Sequence, residues 1–282
     1  MSDDKPFYEP EDHPDGETDD KPCFELYIKA SSIDGETKGS CPICQQWFMV
    51  AYILAENKNV SFRVYTVQAN MPPKSFKDRV SSHNKYPVVI GLSGKNANSG
   101  ADITDIVADD FDEVESFFES VNFDCPKLKR IEMANGLALK IFEDLYKHFN
   151  GYLQNQHDLE GRTLLTDLRN INSFLEEQGH MFLNGSTLSY ADCVLLPRLQ
   201  HVRVAAKAYK NFEIPHDLTA LWKYMENGYQ TNAFLATLPS DQDIVLHYEK
   251  KAATKLQGSF KPTLQKRTFS TEIPVVDGVN GE

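Results

Sequence analysis

The stretch Cys41-Pro42-Ile43-Cys44 decides the fold, because it follows a short alternating strand pattern and opens an apolar run that is typical of a helix. A thiol at the first turn of a helix faces unpaired backbone N–H groups and the positive end of the helix dipole, and both favour the thiolate of Cys41. Proline fits the next position because its fixed φ suits the start of a helix. Cys44 lies about one turn further along, pointed inward and within reach of a reducible disulfide. The pattern predicts that Cys41 attacks and Cys44 resolves.

A zinc site and a structural disulfide are the alternative uses of such a cysteine pair. Zinc needs a second pair of ligands, whereas Cys23, Cys125 and Cys193 stand alone, without zinc-finger spacing or paired histidines nearby. A structural disulfide persists in a secretory context that the sequence does not suggest. We therefore expect no metal, and a thioredoxin-like redox or glutathione site is favoured because a strand precedes the motif and a helix follows it.

The sequence around the motif alternates between strand and helix. Phe24, Leu26 and Ile28 alternate with more polar residues, which is the period of a half-buried strand. A helix is predicted from Pro42 to about Glu56, and a second strand from Ser61 to Gln68. Strand, helix and strand at this spacing predict a βαβ unit.

Tyr86-Pro87 precedes a third predicted strand, Val88 to Gly91. A proline at the entry to a strand can be cis, which exposes the backbone of the preceding residue for pairing with an extended ligand. An ordinary proline at the start of a strand is the alternative. Combined with the cysteine motif, the cis form is the favoured prediction.

The second half of the chain carries helical periodicity. Acidic residues that include Asp109 and Asp110 precede an amphipathic helix, whose positive N-terminal end they complement. Apolar residues then recur at helical spacing over residues 128–149 and again over 164–175. Ser189-Tyr190-Ala191-Asp192 forms a capping box, which predicts the start of another helix. We therefore predict an α/β N-terminal domain of thioredoxin-like type followed by an all-α C-terminal domain.

The negative charge is concentrated at the N-terminus. The 282 residues carry a formal net charge of −12, and residues 1–20 supply −8 of it as nine acids against Lys5. The remainder, at −4, is nearly balanced, so nucleic acid is not an expected partner. An odd number of cysteines and an N-terminus without an apolar leader predict a reducing, cytoplasmic location.

Four segments are predicted along the chain. Residues 1–22 form a disordered acidic tail, because they offer too little apolar surface to offset chain entropy. Residues 23–122 form the thioredoxin-like domain and residues 127–254 the helical domain. Residues 255–282 form a flexible C-terminal tail, although its apolar patch at 273–276 could dock on the folded part.

The chain from Phe24 to Tyr248 resembles the chloride intracellular channel (CLIC) family. An unbroken order of matching stretches is far more specific than a lone Cys-x-x-Cys motif. The resemblance implies a glutathione-transferase-like fold and a similarity to omega-type transferases and glutaredoxins. The matching stretches are Glu25–Ala30, Cys41–Met49, Ala191–His201, Phe212–Pro215, Leu221–Tyr224 and Pro239–Asp243.

The resemblance also implies glutathione as the ligand and assigns roles to individual residues. Cys41 would form a mixed disulfide with glutathione, and many vertebrate relatives have serine where Cys44 stands. The backbone of Tyr86, just before Pro87, would pair with the cysteinyl part of the tripeptide. Asp110 would hold the γ-glutamyl amine.

Two functions follow from the resemblance. One is a CLIC-like protein whose soluble form converts, after a redox-triggered rearrangement, to an anion channel that contacts membrane lipid. The other is a glutathione-dependent thiol-disulfide oxidoreductase with no channel role. The longest apolar run, Trp47–Ala55, is about half of the roughly twenty residues that a spanning helix needs. The chain is therefore expected to rest as a cytoplasmic protein that can associate with membranes, as a monomer or a redox-linked dimer.

Overall fold

The structure of the protein is a computed structural model that describes residues 21–80, 85–158, 160–256 and 267–274. The chain divides into two compact units between Lys129 and Arg130. The acidic tail predicted over residues 1–22 lies outside the described residues, apart from Lys21 and Pro22. None of the helices in the described part combines the length and the apolar character that crossing a membrane requires.

The described residues of the N-terminal unit form a four-stranded mixed sheet with three helices. The strands lie in the order β2-β1-β3-β4, with β1 parallel to β2 and antiparallel to β3, and β3 antiparallel to β4. The predicted strand, helix and strand are confirmed, and the helix has the predicted bounds. In chain order the elements are β1 (Cys23–Lys29), α1 (Pro42–Glu56), β2 (Ser61–Val67), α2 (Lys74–Lys77), β3 (Val88–Ser93), β4 (Val107–Ala108) and α3 (Phe111–Val121).

The two faces of the sheet carry different aromatic clusters, because successive side chains of a strand point to opposite faces. On one face the ring of Phe24 contacts Phe62, Phe117 and Phe118, and Trp47 of α1 stacks on Phe118 with ring centroids 4.7 Å apart. These rings form the core between the sheet and helices α1 and α3.

The other face carries a column of rings. Tyr65 stacks on Tyr27, Tyr27 contacts Phe76 of α2, and Phe76 stacks on Tyr86. The hydroxyl of Tyr27 donates to the buried carboxylate of Glu25 at 2.9 Å. The column therefore extends from β2 to the residue that precedes Pro87.

A short fourth strand closes the sheet, and the sequence gives no period from which to predict it. Asp105 donates its backbone N–H to the carbonyl of Gly91, and Gly91 donates to the carbonyl of Ile106. A Cβ atom at Gly91 would lie only 2.0 Å from the carbonyl oxygen of Ile103. Glycine is required here because the connection after β3 folds back directly over the strand.

The regular elements in the described part of the C-terminal unit are all helices, as predicted. Its helices are α4 (Met133–Ile141), α5 (Leu145–Gln154), α6 (Arg162–Gln178), α7 (Tyr190–His201), α8 (Lys207–Lys210), α9 (Thr219–Tyr229), α10 (Asn232–Thr237) and α11 (Asp241–Tyr248). A π-helical turn, Val202–Ala206, joins α7 to α8.

The helical period predicted over residues 128–149 is divided in the structure. A 3-10 turn, Pro126–Leu128, precedes α4, and α4 and α5 are separate helices. Ile131 lies between the turn and α4 and is 78% exposed, so it is not a core residue. The sequence period failed here because it does not reveal where a run of regular spacing is interrupted.

The predicted capping box at the start of α7 is confirmed. Ser189 accepts from the backbone N–H of the third helical residue, and Asp192 accepts from the backbone N–H of Ser189 at 2.8 Å. Asp192 also accepts from the backbone N–H of Leu183 at 3.0 Å and from the hydroxyl of Tyr224 at 2.9 Å. Burial raises the pKa of Asp192, and these hydrogen bonds compensate in part.

Residues 267–274 differ from the flexible tail predicted over 255–282. They lie against the helices of the C-terminal unit and hydrogen bond to side chains of α7 and α11 and of the π-helical turn, including Gln200 and Asp241. Polar contacts hold this stretch, and such contacts leave no periodic signature in the sequence. The other residues of the predicted tail, apart from 255 and 256, lie outside the described residues.

Candidate functional site

One edge of the sheet in the N-terminal unit collects the residues that the sequence analysis singled out. The register pairs Tyr27, near the end of β1, with Val88 at the start of β3, and it pairs Val89 with Ala108 at the end of β4. The end of β1, the start of β3 and the end of β4 therefore share an edge. Cys44 joins the cysteine motif to this edge, because its sulfur accepts a hydrogen bond from the backbone N–H of Lys29.

The two cysteines of the motif have opposite electrostatic environments. Cys41 lies in extended conformation immediately before α1, and Pro42 is the first residue of the helix. Cys41 is 8% exposed and Cys44 is 1% exposed, so Cys41 is the more accessible of two largely buried thiols. Both are free thiols in the structure. The predicted inward position of Cys44 is thus found.

A hydrogen bond between the two sulfurs is the largest influence on the acidity of Cys41. The thiol of Cys44 donates to the sulfur of Cys41, and this bond is the largest of the effects that lower the pKa of Cys41 to about 6. Backbone N–H groups of Ile43 and Cys44 act in the same direction, while burial opposes them. Burial raises the pKa of Cys44 well above its ordinary value, and the adjacent Cys41 adds to that rise. The site therefore holds one thiolate and one thiol near neutral pH.

Lys29 is a site residue that the sequence analysis did not single out. Its positive charge lowers the pKa of both Cys41 and Cys44. Its ammonium group also lies 5.9 Å from the ring centroid of Tyr86. The sequence did contain a clue to this role, because Lys29 ends the strand that precedes the cysteine motif. Its charge acts on Cys41 at the start of α1.

The peptide bond between Tyr86 and Pro87 is cis, as predicted. The ring of Tyr86 is buried against Phe76, and this burial is the main reason why the pKa of Tyr86 is raised to about 12. Its hydroxyl finds no hydrogen-bond partner among the described residues, and the same holds for the buried side-chain amide of Gln45. Two unpaired polar groups therefore lie close in sequence to the cysteine motif and the cis bond.

Asp110 lies at the same edge and begins α3. One carboxylate oxygen accepts from the backbone N–H of Asp112 at 3.1 Å, and the other forms an ion pair with Lys85. Lys85 and the amide of Asp112 lower the pKa of Asp110. The side chains of Lys85 and Asp110 are 50% and 39% exposed, so an incoming ligand can reach both charges.

The other three cysteines lie apart from this arrangement. Cys193 is completely buried in α7, and burial raises its pKa well above the ordinary value. The sulfur of Cys125 accepts from the side-chain amides of Asn57 at 3.5 Å and Asn59 at 3.2 Å. Cys23 is half-buried at the start of β1. Its burial and raised pKa give Cys193 a packing role as an inert thiol.

Two family models match the chain. The model of the CLIC-like N-terminal domain matches residues 22–121, and the model of the glutathione S-transferase C-terminal domain matches residues 139–227. The first match contains the entire edge described above.

Known proteins agree with these matches. The chloride intracellular channel Clic of Drosophila melanogaster is 36% identical over 256 residues, which cover 91% of this chain and 92% of that protein. The crystal structure of the CLIC homologue EXC-4 from C. elegans is 28% identical, with a TM-score of 0.74, and covers 90% of this chain and 94% of that one.

A more distant structure shares the fold alone. The rice glutathione transferase OsGSTU1, solved in complex with glutathione, is 13% identical with a TM-score of 0.57 and covers 80% of this chain and 95% of that one. The glutathione-transferase-like fold predicted from the sequence is thereby confirmed. On the identity and coverage of the Drosophila relative and on the N-terminal family model, the chain belongs to the chloride intracellular channel family.

Proposed function

We propose that the protein is a glutathione-dependent thiol-disulfide oxidoreductase, with Cys41 as the attacking thiolate and Cys44 as the resolving thiol. The observation that carries the proposal is the hydrogen bond between the two sulfurs, which lowers the pKa of Cys41 to about 6. A thiolate with a pKa near ambient pH combines a high thiolate fraction with good nucleophilicity. The structure of a rice transferase bound to glutathione supports glutathione as the co-substrate for this fold.

The first step is attack by the Cys41 thiolate on the glutathione sulfur of a glutathionylated thiol. A disulfide between Cys41 and glutathione forms, the original disulfide breaks, and the substrate leaves as a thiolate that takes a proton from water. Lys29 stabilises negative charge at this position before the attack.

The second step frees the enzyme. Cys44 passes its proton to the departing glutathione sulfur and attacks the sulfur of Cys41, which gives a Cys41–Cys44 disulfide and free glutathione. Two further glutathione molecules reduce that disulfide and leave as oxidised glutathione. Alternatively, a second glutathione attacks the mixed disulfide directly, and Cys44 is not consumed.

Glutathione recognition is proposed to use the same edge of the sheet. The backbone of Tyr86, ahead of Pro87, would pair with the cysteinyl residue of the tripeptide. The γ-glutamyl end of glutathione carries an ammonium and a carboxylate, and Asp110 and Lys85 offer the two opposite charges side by side. The ammonium would bind Asp110 and the carboxylate would bind Lys85, in exchange for their mutual ion pair.

The test is the glutathione-dependent reduction of a glutathionylated peptide, coupled to NADPH oxidation through glutathione reductase. Cys41→Ser should abolish turnover. Cys44→Ser should retain it, because a second glutathione resolves the mixed disulfide. Cys125→Ser is the matched control, since Cys125 lies apart from the motif, and it should match the wild type. Turnover that survives in Cys41→Ser would refute the proposal.

A second candidate function is supported by the names of the relatives, which are chloride intracellular channels. We propose that oxidation of Cys41 and Cys44 gates chloride flux by the same chain. The test is chloride efflux from liposomes that contain anionic lipid, measured with reduced and with oxidised protein. Flux that is equal for wild type and for Cys41→Ser under oxidising conditions would exclude the cysteine pair as the gate.

A further inference from the structure

The strap, residues 267–274, lies across the start of α11 in the C-terminal unit. The backbone N–H of Asp241 donates to the carbonyl of Thr268 at 2.9 Å, and the backbone N–H of Thr268 donates to the side chain of Gln242 at 3.0 Å. The guanidinium of Arg267 forms an ion pair with the buried carboxylate of Asp243 at 3.2 Å. The first two residues of the strap are thus tied to three consecutive residues of the helix.

Ser270 takes part in four of the contacts that hold the strap. Its hydroxyl donates to one oxygen of Asp241 at 2.9 Å, and its backbone N–H donates to the other at 3.0 Å. Its carbonyl accepts from the side-chain amide of Gln200 at 3.1 Å and from the guanidinium of Arg203 at 2.9 Å. Four hydrogen bonds therefore meet at one residue, and the carboxylate among their partners is only 2% exposed.

Arg203 also binds the strap. Its guanidinium lies 5.2 Å from the ring centroid of Trp222 and donates to the hydroxyl of Tyr229 at 2.9 Å. It donates again to the carbonyl of Glu272. The rings already restrict the guanidinium of Arg203, so little further side-chain entropy is lost when it forms its two hydrogen bonds to the strap.

The sequence of the strap contains a second, independent feature. Arg267 stands three residues before Ser270, with Lys266 beside it in the sequence. Many serine kinases select an arginine at that position, because acidic residues of their substrate cleft bind the guanidinium by charge-assisted hydrogen bonds. Thr268 and Thr271 do not have an arginine at that spacing.

We propose that Ser270 is a phosphorylation site for a kinase of this basic-directed class, and that its phosphorylation releases the strap. The kinase transfers the terminal phosphoryl group of ATP to the Ser270 oxygen. The serine O–P bond forms, the bond between the β- and γ-phosphates of ATP breaks, ADP leaves, and the hydroxyl proton passes to solvent.

Release follows from the position of the new charge. A phosphate carries about −1.5 to −2 charges at neutral pH. It would replace the hydroxyl that now lies 2.9 Å from an oxygen of the buried Asp241 carboxylate. Two anions in contact inside the protein repel, and the donor that joined them has been lost.

Docking and phosphorylation exclude each other. The docked strap engages Arg267 with Asp243 and Ser270 with Asp241, so the kinase can bind only the released strap. The phosphate then prevents the strap from returning. Phosphorylation therefore keeps the strap in the released state. The rate of phosphorylation depends on the fraction of molecules in which the strap is released, and stronger docking makes it slower.

The first test is phosphorylation of the full chain by the catalytic subunit of cAMP-dependent protein kinase with ATP, with the modified residue identified by mass spectrometry. We expect slow incorporation at Ser270 of the wild type. Asp241→Ala removes two hydrogen bonds to the strap and should raise the rate by about tenfold or more. No incorporation at Ser270 in either protein, or equal rates in both, would overturn the proposal.

The second test measures release directly, by hydrogen exchange at the amides of Thr268 and Ser270 and by trypsin cleavage after Arg267. Ser270→Asp should lose protection and be cleaved faster, by about tenfold or more, with an unchanged circular dichroism spectrum. Thr271→Asp, the matched control, moves the charge by one residue and should remain protected. Protection retained in both Ser270→Asp and the phosphorylated wild type would refute release, and equal loss in Thr271→Asp would refute the Ser270–Asp241 contact as its cause.

Discussion

Replacing Cys44 by alanine should raise the pKa of Cys41, because the thiol of Cys44 supplies the hydrogen bond that contributes most to its low value. A hydrogen bond to a charged group is worth about 1.5 to 3 kcal/mol, and one pKa unit corresponds to about 1.36 kcal/mol. Loss of the bond should therefore shift the pKa by about one to two units, from about 6 to about 7 or 8. Cys44→Ser keeps a donor in the same place and should leave the pKa of Cys41 close to 6.

The assay is the rate at which iodoacetamide alkylates Cys41, measured from about pH 4 to pH 10 and quantified on the peptide so that other cysteines do not contribute. At pH 6 the alanine variant should react roughly five to fifty times more slowly than the wild type, since fewer of its molecules carry the thiolate. If the alanine and serine variants have the same midpoint as the wild type, the bond between the sulfurs does not set the acidity of Cys41. The backbone amides and the helix end would then carry the whole effect.

Three further outcomes are expected. The folded pKa of Cys41 lies below its unfolded value, so the stability that its thiolate contributes is complete above about pH 9 and is lost as the pH falls to about 6. The unfolding free energy of the wild type relative to that of Cys41→Ser should therefore increase by about 1.4 kcal/mol for each unit by which the pH rises in that window, as urea titrations can measure. Gly91→Ala should lower the melting temperature, because the new Cβ atom would lie 2.0 Å from a carbonyl oxygen, whereas Gly136→Ala, with open space around it, should not. Asp192→Ala should destabilise the protein by about 3 kcal/mol or more in the same titration, because it leaves buried donors that include the backbone of Ser189 unpaired.

Most of the N-terminal unit could be predicted because its elements have a clear period and clear ends. The alternation of β1, the cysteine motif with proline at the start of α1, and the proline before β3 each mark a boundary through local chemistry. β4 could not be predicted, since two residues are too short to show a period. The connection over Gly91 depends on a close backbone approach that only the folded chain reveals.

The site was partly predictable for the same reason. Cys41 and Cys44 can be identified from the spacing of the motif and from the strand and helix around it. Lys29 and Lys85 are single charged residues, and only the fold shows that both lie at the same edge of the sheet. The polar contacts that dock residues 267–274 could not be predicted, because their partners lie 24 to 70 positions earlier in the sequence. Long-range polar contacts carry no periodic signal.

The two tryptophans of the chain are divided between the units, and each has a different neighbour. Trp47 of α1 stacks on Phe118, and Trp222 lies beside the guanidinium of Arg203. Intrinsic fluorescence can therefore be resolved by unit with two single-tryptophan variants, without any added dye. Emission from Trp47 would follow the N-terminal unit, while emission from Trp222 would follow the C-terminal unit and changes in the contact between its ring and Arg203.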